Sequence, residues 1–473
     1  MPQAYDAHAP RFRVRPPANW ANDPNGPFRW RDRYHLFYQH NPGAPVHADM
    51  HWGHSSSTDL AHWEHHPVAL TPTPGGADEA GCWSGCVVDD AGVPTAVYTG
   101  IDRNHTGLGA ICLARANPDD ERLIHWEPQP EPVLSGPPDG LDVVMFRDPF
   151  VFRHGGRRRA LVGAGHADGT PSVLLYDCDD LRSWRFMGVL LDGRDPVATR
   201  AFEKGATGWE CPQLYETHGD CVLVVSLWDG NPQSTAYLTG RLESIDDGRP
   251  AFVPRAGGRL DHGRDCYAPA VLRDEPADRT LLWGWSWEAR AQHAVDRAGW
   301  AGVLTAPRVM GTHADGGLRV SPAPELELLR AQPPFVNAPS DTPLPLPAAY
   351  DLEIGARAPA SVTLLRAASG AELTVSLDPA AGTVVLDRSD WPRERGDGSV
   401  AESGPLVLRA ERVPGEELTA RILIDGSLLE LFVQDRVVAT ERIYARTDDT
   451  AELVVSGGPD RVTGWAVVPP RHD

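Results

Sequence analysis

The feature that most restricts how this chain can fold is a recurrence. Five runs of similar character begin at Asn22 (NDPNGPF), Cys82 (CWSGCVV), Phe146 (FRDPFVF), Trp209 (WECPQLY) and Arg264 (RDCYAPAVL), spaced by 60, 64, 63 and 55 residues. Each is short and apolar, and each is punctuated by the Gly, Pro, Asn or Asp of turns, which is how strands read in a sequence. A second series, Leu-x-x-Trp, recurs at 60–63, 123–126 and 181–184, with its tryptophans 63 and 58 residues apart. A unit of this size cannot bury a sheet face by itself, so neighbouring units must cover one another. The pattern predicts an all-β fold, a five-bladed β-propeller of four-stranded sheets in which the five runs are the innermost strands. Side chains near the ends of innermost strands would then share one funnel.

The repeat stops near Arg330. Residues 331–349 are rich in Pro, which stiffens a chain and cannot donate to a ladder, so they read as a linker. From 350 to 473 alternating runs such as Tyr350-Asp-Leu-Glu-Ile354 and Arg421-Ile-Leu-Ile424 carry strand periodicity with short turns between them. The expected organisation is a propeller over 1–330, the linker, and a C-terminal β-sandwich over 350–473. At 473 residues the chain exceeds one ordinary core, which fits two domains.

Composition narrows the function. A net charge of −21 opposes a nucleic-acid partner, whose phosphates require clustered Lys and Arg. No apolar run approaches the roughly 18 residues of a membrane span. The first 20 residues hold no apolar signal core, and the seven cysteines are odd in number with no CxxC spacing. Both features point to free thiols and a cytoplasmic location. Nothing fixes the oligomeric state.

Chemistry enters with three carboxylates. Asp23 (NDPNG), Asp148 (RDP) and Glu210 (WECP) stand at the heads of the first, third and fourth inner strands, each beside or near a Pro. Converging carboxylates suit glycoside cleavage, where one attacks or activates water and another protonates the leaving oxygen. An isolated Asp-Pro is ordinary turn chemistry; three at matching positions favour catalysis. The histidines crowding 40–66, among them His47, His51 and His54, lack the regular frame of a metal site, and no metal or other cofactor is expected.

Beyond these readings, Trp20-Ala-Asn-Asp-Pro-Asn-Gly26, Tyr34-His-Leu-Phe-Tyr-Gln39, His51-Trp-Gly-His54, Trp83-Ser84-Gly85, Arg147-Asp148-Pro149, Trp209-Glu210-Cys211-Pro212, Asp265-Cys-Tyr-Ala268, the stretch from Trp300 to Arg308 and Glu441-Arg-Ile-Tyr444 resemble, in order, glycoside hydrolase family 32. That family holds β-fructofuranosidases, inulinases and levanases. The resemblance implies the same propeller and sandwich, and a retaining double displacement. Asp23 would be the nucleophile, Glu210 the acid/base and Asp148 the stabiliser of the oxocarbenium-like transition state, with a small saccharide as partner. Asn22, Gln39, Trp52, Trp83, Ser84 and Arg147 match positions around the fructose, with Cys211, Asp265 and Tyr267 as further pocket candidates. Gln213 departs from the pattern, because an Asp often follows the acid/base there. The implied activity is release of terminal β-linked fructose from sucrose or short fructo-oligosaccharides. Rival readings are a fructosyltransferase or fructan-active enzyme using the same intermediate, and a catalytically silent sugar-binding module.

Overall fold

The computed structural model describes residues 6–468, apart from 105–106, 203–204, 218, 246–247, 338–341 and 411–414. Strands dominate. The two α-helices among the described residues are short, Pro196–Ala201 and Gln292–Ala298. Among the described residues no helix is long and apolar enough to cross a membrane.

Residues 19–322 form five sheets, each built on four antiparallel strands; of two short strands that interrupt the fifth, one pairs in parallel with the first sheet and the other pairs with the fifth. The first strands of the five sheets are Asn19–Trp30, Gly81–Asp89, Val143–His154, Gly208–Thr217 and Tyr267–Asp274. Each of these packs against the next, and the fifth returns to the first, so they are the inner walls of a closed ring. The five runs seen in the sequence are these inner strands. The Leu-x-x-Trp series turns out to lock outer turns. The indole N–H of Trp63, Trp126 and Trp184 donates to the carbonyl of Leu60, Leu123 and Leu181 at 3.1, 2.9 and 2.8 Å. In the same turns Asp59, Asp120 and Asp180 each accept the amide two residues on, at 2.9–3.0 Å, the local bond that makes Asp a turn former.

All five inner strands carry a one-residue bulge at equivalent heights. The register slips between Ala21 and Pro24, Trp83 and Gly85, Arg147 and Phe150, Glu210 and Gln213, and Tyr267 and Ala270. Three of the bulges contain a Pro (Pro149, Pro212, Pro269), and Pro24 closes the first. This fits a position where the ladder needs no N–H, and the fixed φ of Pro holds the kink. A bulge also re-aims side chains. Here it turns them toward the ring axis.

The sandwich packs a six-stranded sheet against a five-stranded one. Alternation is clean in Glu372–Asp378, where every second residue is buried, and Leu352, Ile354, Val362, Val375, Leu386, Ile422 and Leu431 meet in the core. The expected linker does not run free. Ala331 and Phe335 donate to the carbonyls of Ala466 and Gly464 at 2.8 Å, and Leu344–Pro345 extends the six-stranded sheet, so the Pro-rich stretch lies along the sandwich. The edge strand Val437–Arg442 of the other sheet meets propeller residues 261–265: His262 donates to the Val438 carbonyl and Arg442 N to Asp265 Oδ2 at 2.8 and 2.7 Å. An open sheet edge is thereby covered.

Candidate active site

The bulges bring Asp23, Asp148 and Glu210 to one place. Asp148 is only 5% exposed and sits at φ +64°. Its amide donates to Thr99 Oγ1 at 2.8 Å, and its Oδ2 accepts the Cys211 amide at 3.0 Å. Cys211, also left-handed at φ +46°, holds its sulfur 3.6 Å from Asp148 and 3.7 Å from Asp23. One thiol therefore touches two of the carboxylates and neighbours the third along the chain.

Asp23 is held by three neutral donors. Its Oδ2 accepts Ser84 Oγ at 2.6 Å and Gln39 Nε2 at 3.4 Å, its Oδ1 accepts Asn22 Nδ2 at 3.0 Å, and Gln39 also donates to Ser84. Asn22 is in turn fixed by the Trp20 indole, 2.7 Å from its Oδ1.

Glu210 is held from two sides. Arg147 closes on Oε1 with Nε and Nη2 at 2.9 and 2.8 Å, while the Tyr267 hydroxyl donates to Oε2 at 2.6 Å. The guanidinium lies between two indoles, 5.5 Å from the Trp83 ring and 5.3 Å from that of Trp228. Aromatic faces attract the cation and fix its plane. Burial raises the Glu210 pKa and the Asp23 charge adds to this, against Arg147 and Tyr267, which lower it. Asp148 is pushed up to about 7, first by burial and then by the charge of Glu210, with Asp23 adding and Arg147 opposing. Burial and crowding thus favour the protonated form of Glu210, which an acid role needs.

Three sequence expectations are corrected. Trp52 does not face the pocket. It is 0% exposed, packs on Phe37 and Tyr98, and donates its indole N–H to the Trp83 carbonyl at 3.0 Å, so it supports the strand that carries Ser84. Asp265 likewise is 0% exposed and faces the sandwich, bonded to Arg393 and the Arg442 amide, because the segment before Tyr267 forms the domain seam. The Gln213 side chain lies in the seam toward the fifth blade, where Oε1 accepts the Val271 amide at 3.1 Å, so the charge missing there is not missing from the site. Of the histidines, His54 is buried in a stack with Phe37, His35 and His66, while His47 sits at the mouth with its ring edge toward Trp20 and Trp83.

Thr99 and Trp228 were not singled out from the sequence. Both lie on second strands, and their neighbours (PTAVYTGI, DCVLVVSLW) read as plain core strand. No local signal marks them.

Comparison with known proteins agrees with this geometry. The chain is 33% identical to an Escherichia coli sucrose-6-phosphate hydrolase over 93% of its own length and 90% of that protein. It is 32% identical to an Escherichia coli raffinose invertase with the same coverage. Among solved structures it superposes on the Bombyx mori GH32 β-fructofuranosidase with a TM-score of 0.78 at 26% identity, covering 98% of this chain and 95% of that one. A variant of that enzyme is described in complex with sucrose. The profile of the glycosyl hydrolases family 32 N-terminal domain matches residues 13–322, that of the family 32 C-terminal domain matches 338–468, and the chain therefore belongs to glycoside hydrolase family 32.

Proposed function

We propose that this β-fructofuranosidase-type glycoside hydrolase releases terminal β-linked fructose from sucrose or short fructo-oligosaccharides by double displacement. The observation that carries the reading is the convergence of Asp23, Asp148 and Glu210 from three inner strands, with only Asp23 held by three neutral donors. An Asp23 oxygen attacks the anomeric carbon as its bond to the leaving oxygen breaks, and Glu210 passes its proton to that oxygen. In the second half Glu210 takes a proton from water, which attacks the same carbon and frees Asp23. Asp148, buried beside both, accepts bonds from fructose hydroxyls and offsets the positive charge that develops on the ring. Trp83 and Arg147 form the wall beside Glu210. Seven free, buried cysteines support work in a reducing compartment, which we place in the cytoplasm.

Incubation with concentrated sucrose tests the reaction. Near-equal free glucose and free fructose are expected, because water at about 55 M prevails unless an acceptor subsite raises effective concentration. A large fructose deficit with oligosaccharide products would make the protein a transferase, and no turnover would make it a silent sugar-binding module. Asp23→Ala and Glu210→Ala are each expected to lower kcat by about 10³-fold or more with the fold retained. With an activated fructoside, azide should partly restore turnover. Near-wild-type activity in either variant removes the assignment.

A further inference from the structure

We propose that Arg393, on the sandwich, is a positioning residue for the acid/base Glu210, acting through Asp265, Trp287 and Tyr267. This rests on the role given to Glu210 above. Arg393 opens a small hairpin in which Arg393–Glu394 pairs with Val400–Glu402. The hairpin is latched to the propeller just beyond Trp287. Glu394 N donates to the Ala289 carbonyl at 3.0 Å, Ala291 N to Glu394 Oε2 at 3.2 Å, and Gln292 N to the Gly396 carbonyl at 2.9 Å.

From this anchor a continuous line of contacts leads to the acid. Arg393 Nε donates to Asp265 Oδ1 at 2.6 Å, and its guanidinium lies 5.8 Å over the Trp287 ring. The Trp287 indole N–H donates to the same oxygen at 3.0 Å. Trp287 stacks on Tyr267 with centroids 5.6 Å apart and planes at 28°, and Tyr267 donates to Glu210 Oε2 at 2.6 Å. The other Asp265 oxygen is committed elsewhere, to the Arg442 amide at 2.7 Å and to Arg388 at 3.7 Å. Without Arg393 the wholly buried carboxylate would be drawn toward Arg388, and Trp287 would lose both its cation and the fixed acceptor of its N–H. The Tyr267 ring would then lose its backing.

The groups that face Glu210 are Arg147, Tyr267, Asp23, Asp148 and Cys211. Of these, Tyr267 is the one that Arg393 reaches. A weaker Tyr267 bond stabilises the Glu210 carboxylate less, so its protonated form persists to higher pH.

In Arg393→Met the alkaline limb of kcat/KM, which reports the acid in the free enzyme, should move up by about 0.5–1 pH unit. We expect kcat for sucrose to fall about tenfold with KM nearly unchanged, the mark of lost alignment at the reacting bond. Arg393→Lys should restore part of the limb. Arg330→Met removes a different domain bridge, the 2.7 Å pair with Asp351, and should leave the limb in place. Tyr267→Phe should shift the limb in the same direction, and adding Arg393→Met to it should add nothing further, since both act at one bond. An unmoved limb in folded Arg393→Met, an equal shift in Arg330→Met, or additive shifts in the double variant would overturn the inference. If Arg393→Met does not fold, Arg393→Gln carries the same prediction with a smaller shift, and an unmoved limb there overturns it equally. A wild-type protein inactive on sucrose would instead refute the proposed function itself.

Discussion

Asp148 shows what a single site residue costs the fold. Its carboxyl is buried and is raised to about 7 by that burial and by the neighbouring Glu210 charge, so the folded protein binds this proton more tightly than the unfolded chain. The stabilising contribution is full below the unfolded value near 4 and is lost as pH rises through about 7. In Asp148→Asn that loss disappears, while the side-chain oxygen can still accept the Cys211 amide. The variant is therefore expected to melt about 1–3 °C above wild type at pH 8, to lose that advantage at pH 4, and to lose kcat by about 10²-fold or more. Thermal melts at the two pH values, beside sucrose turnover, check this. Asp148 was legible in the sequence because its Pro and its place in the repeat marked it. Thr99, which holds the Asp148 amide, was not legible, since a Thr within an apolar strand carries no sign of what its hydroxyl meets.

At the scale of the element, the bulged inner strand is the device that builds the site. The period of the five runs disclosed the strands, and the prolines hinted at rigid backbone. The common height of the bulges could not be read from residues alone, because register depends on the partner strand. Gly85 marks how little freedom is left. A Cβ there would lie 2.1 Å from the Val97 carbonyl oxygen and 2.6 Å from Tyr98 Cα, both backbone atoms of the paired strand. Relief requires the inner strand of the second blade to move, and Ser84, which donates to Asp23, is its neighbour. Gly85→Ala should thus lower stability by about 2–4 kcal/mol and reduce kcat by more than the loss of folded protein explains. Calorimetry combined with active-site titration separates the two effects. A variant with wild-type kcat per folded molecule would show that the strand absorbs the methyl without moving Ser84.

At the scale of the whole molecule, the two domains are joined by buried charge. Arg308 of the fifth blade is 0% exposed and donates to Asp261 at 2.8 Å within the propeller, and to Glu430 at 3.1 Å and Thr440 at 2.6 Å in the sandwich. Glu430 also takes Arg13, from the segment that precedes the first blade. The resemblance reached this region through the stretch ending at Arg308, yet sequence alone read 331–349 only as a Pro-rich linker. A Pro-rich composition describes a chain's stiffness and says nothing about the surface it lies on. Asp265, read as a pocket residue beside Tyr267, failed because it precedes the strand Tyr267–Asp274 and is held in the seam by Arg393 and the Arg442 amide, contacts that only the folded sandwich supplies. Removing one partner from a buried ionic cluster leaves the others desolvated and unpaired, which costs about 3–5 kcal/mol. Because Asp261, Glu430 and Thr440 belong to both domains, that loss falls on the interface and neither domain can shed it by unfolding alone. Wild type is expected to unfold in one calorimetric transition, and Arg308→Met in one transition at a lower temperature. Two resolved transitions in the wild-type protein would mean that the domains are stable separately, and that the arginine cluster aligns them without joining their folding.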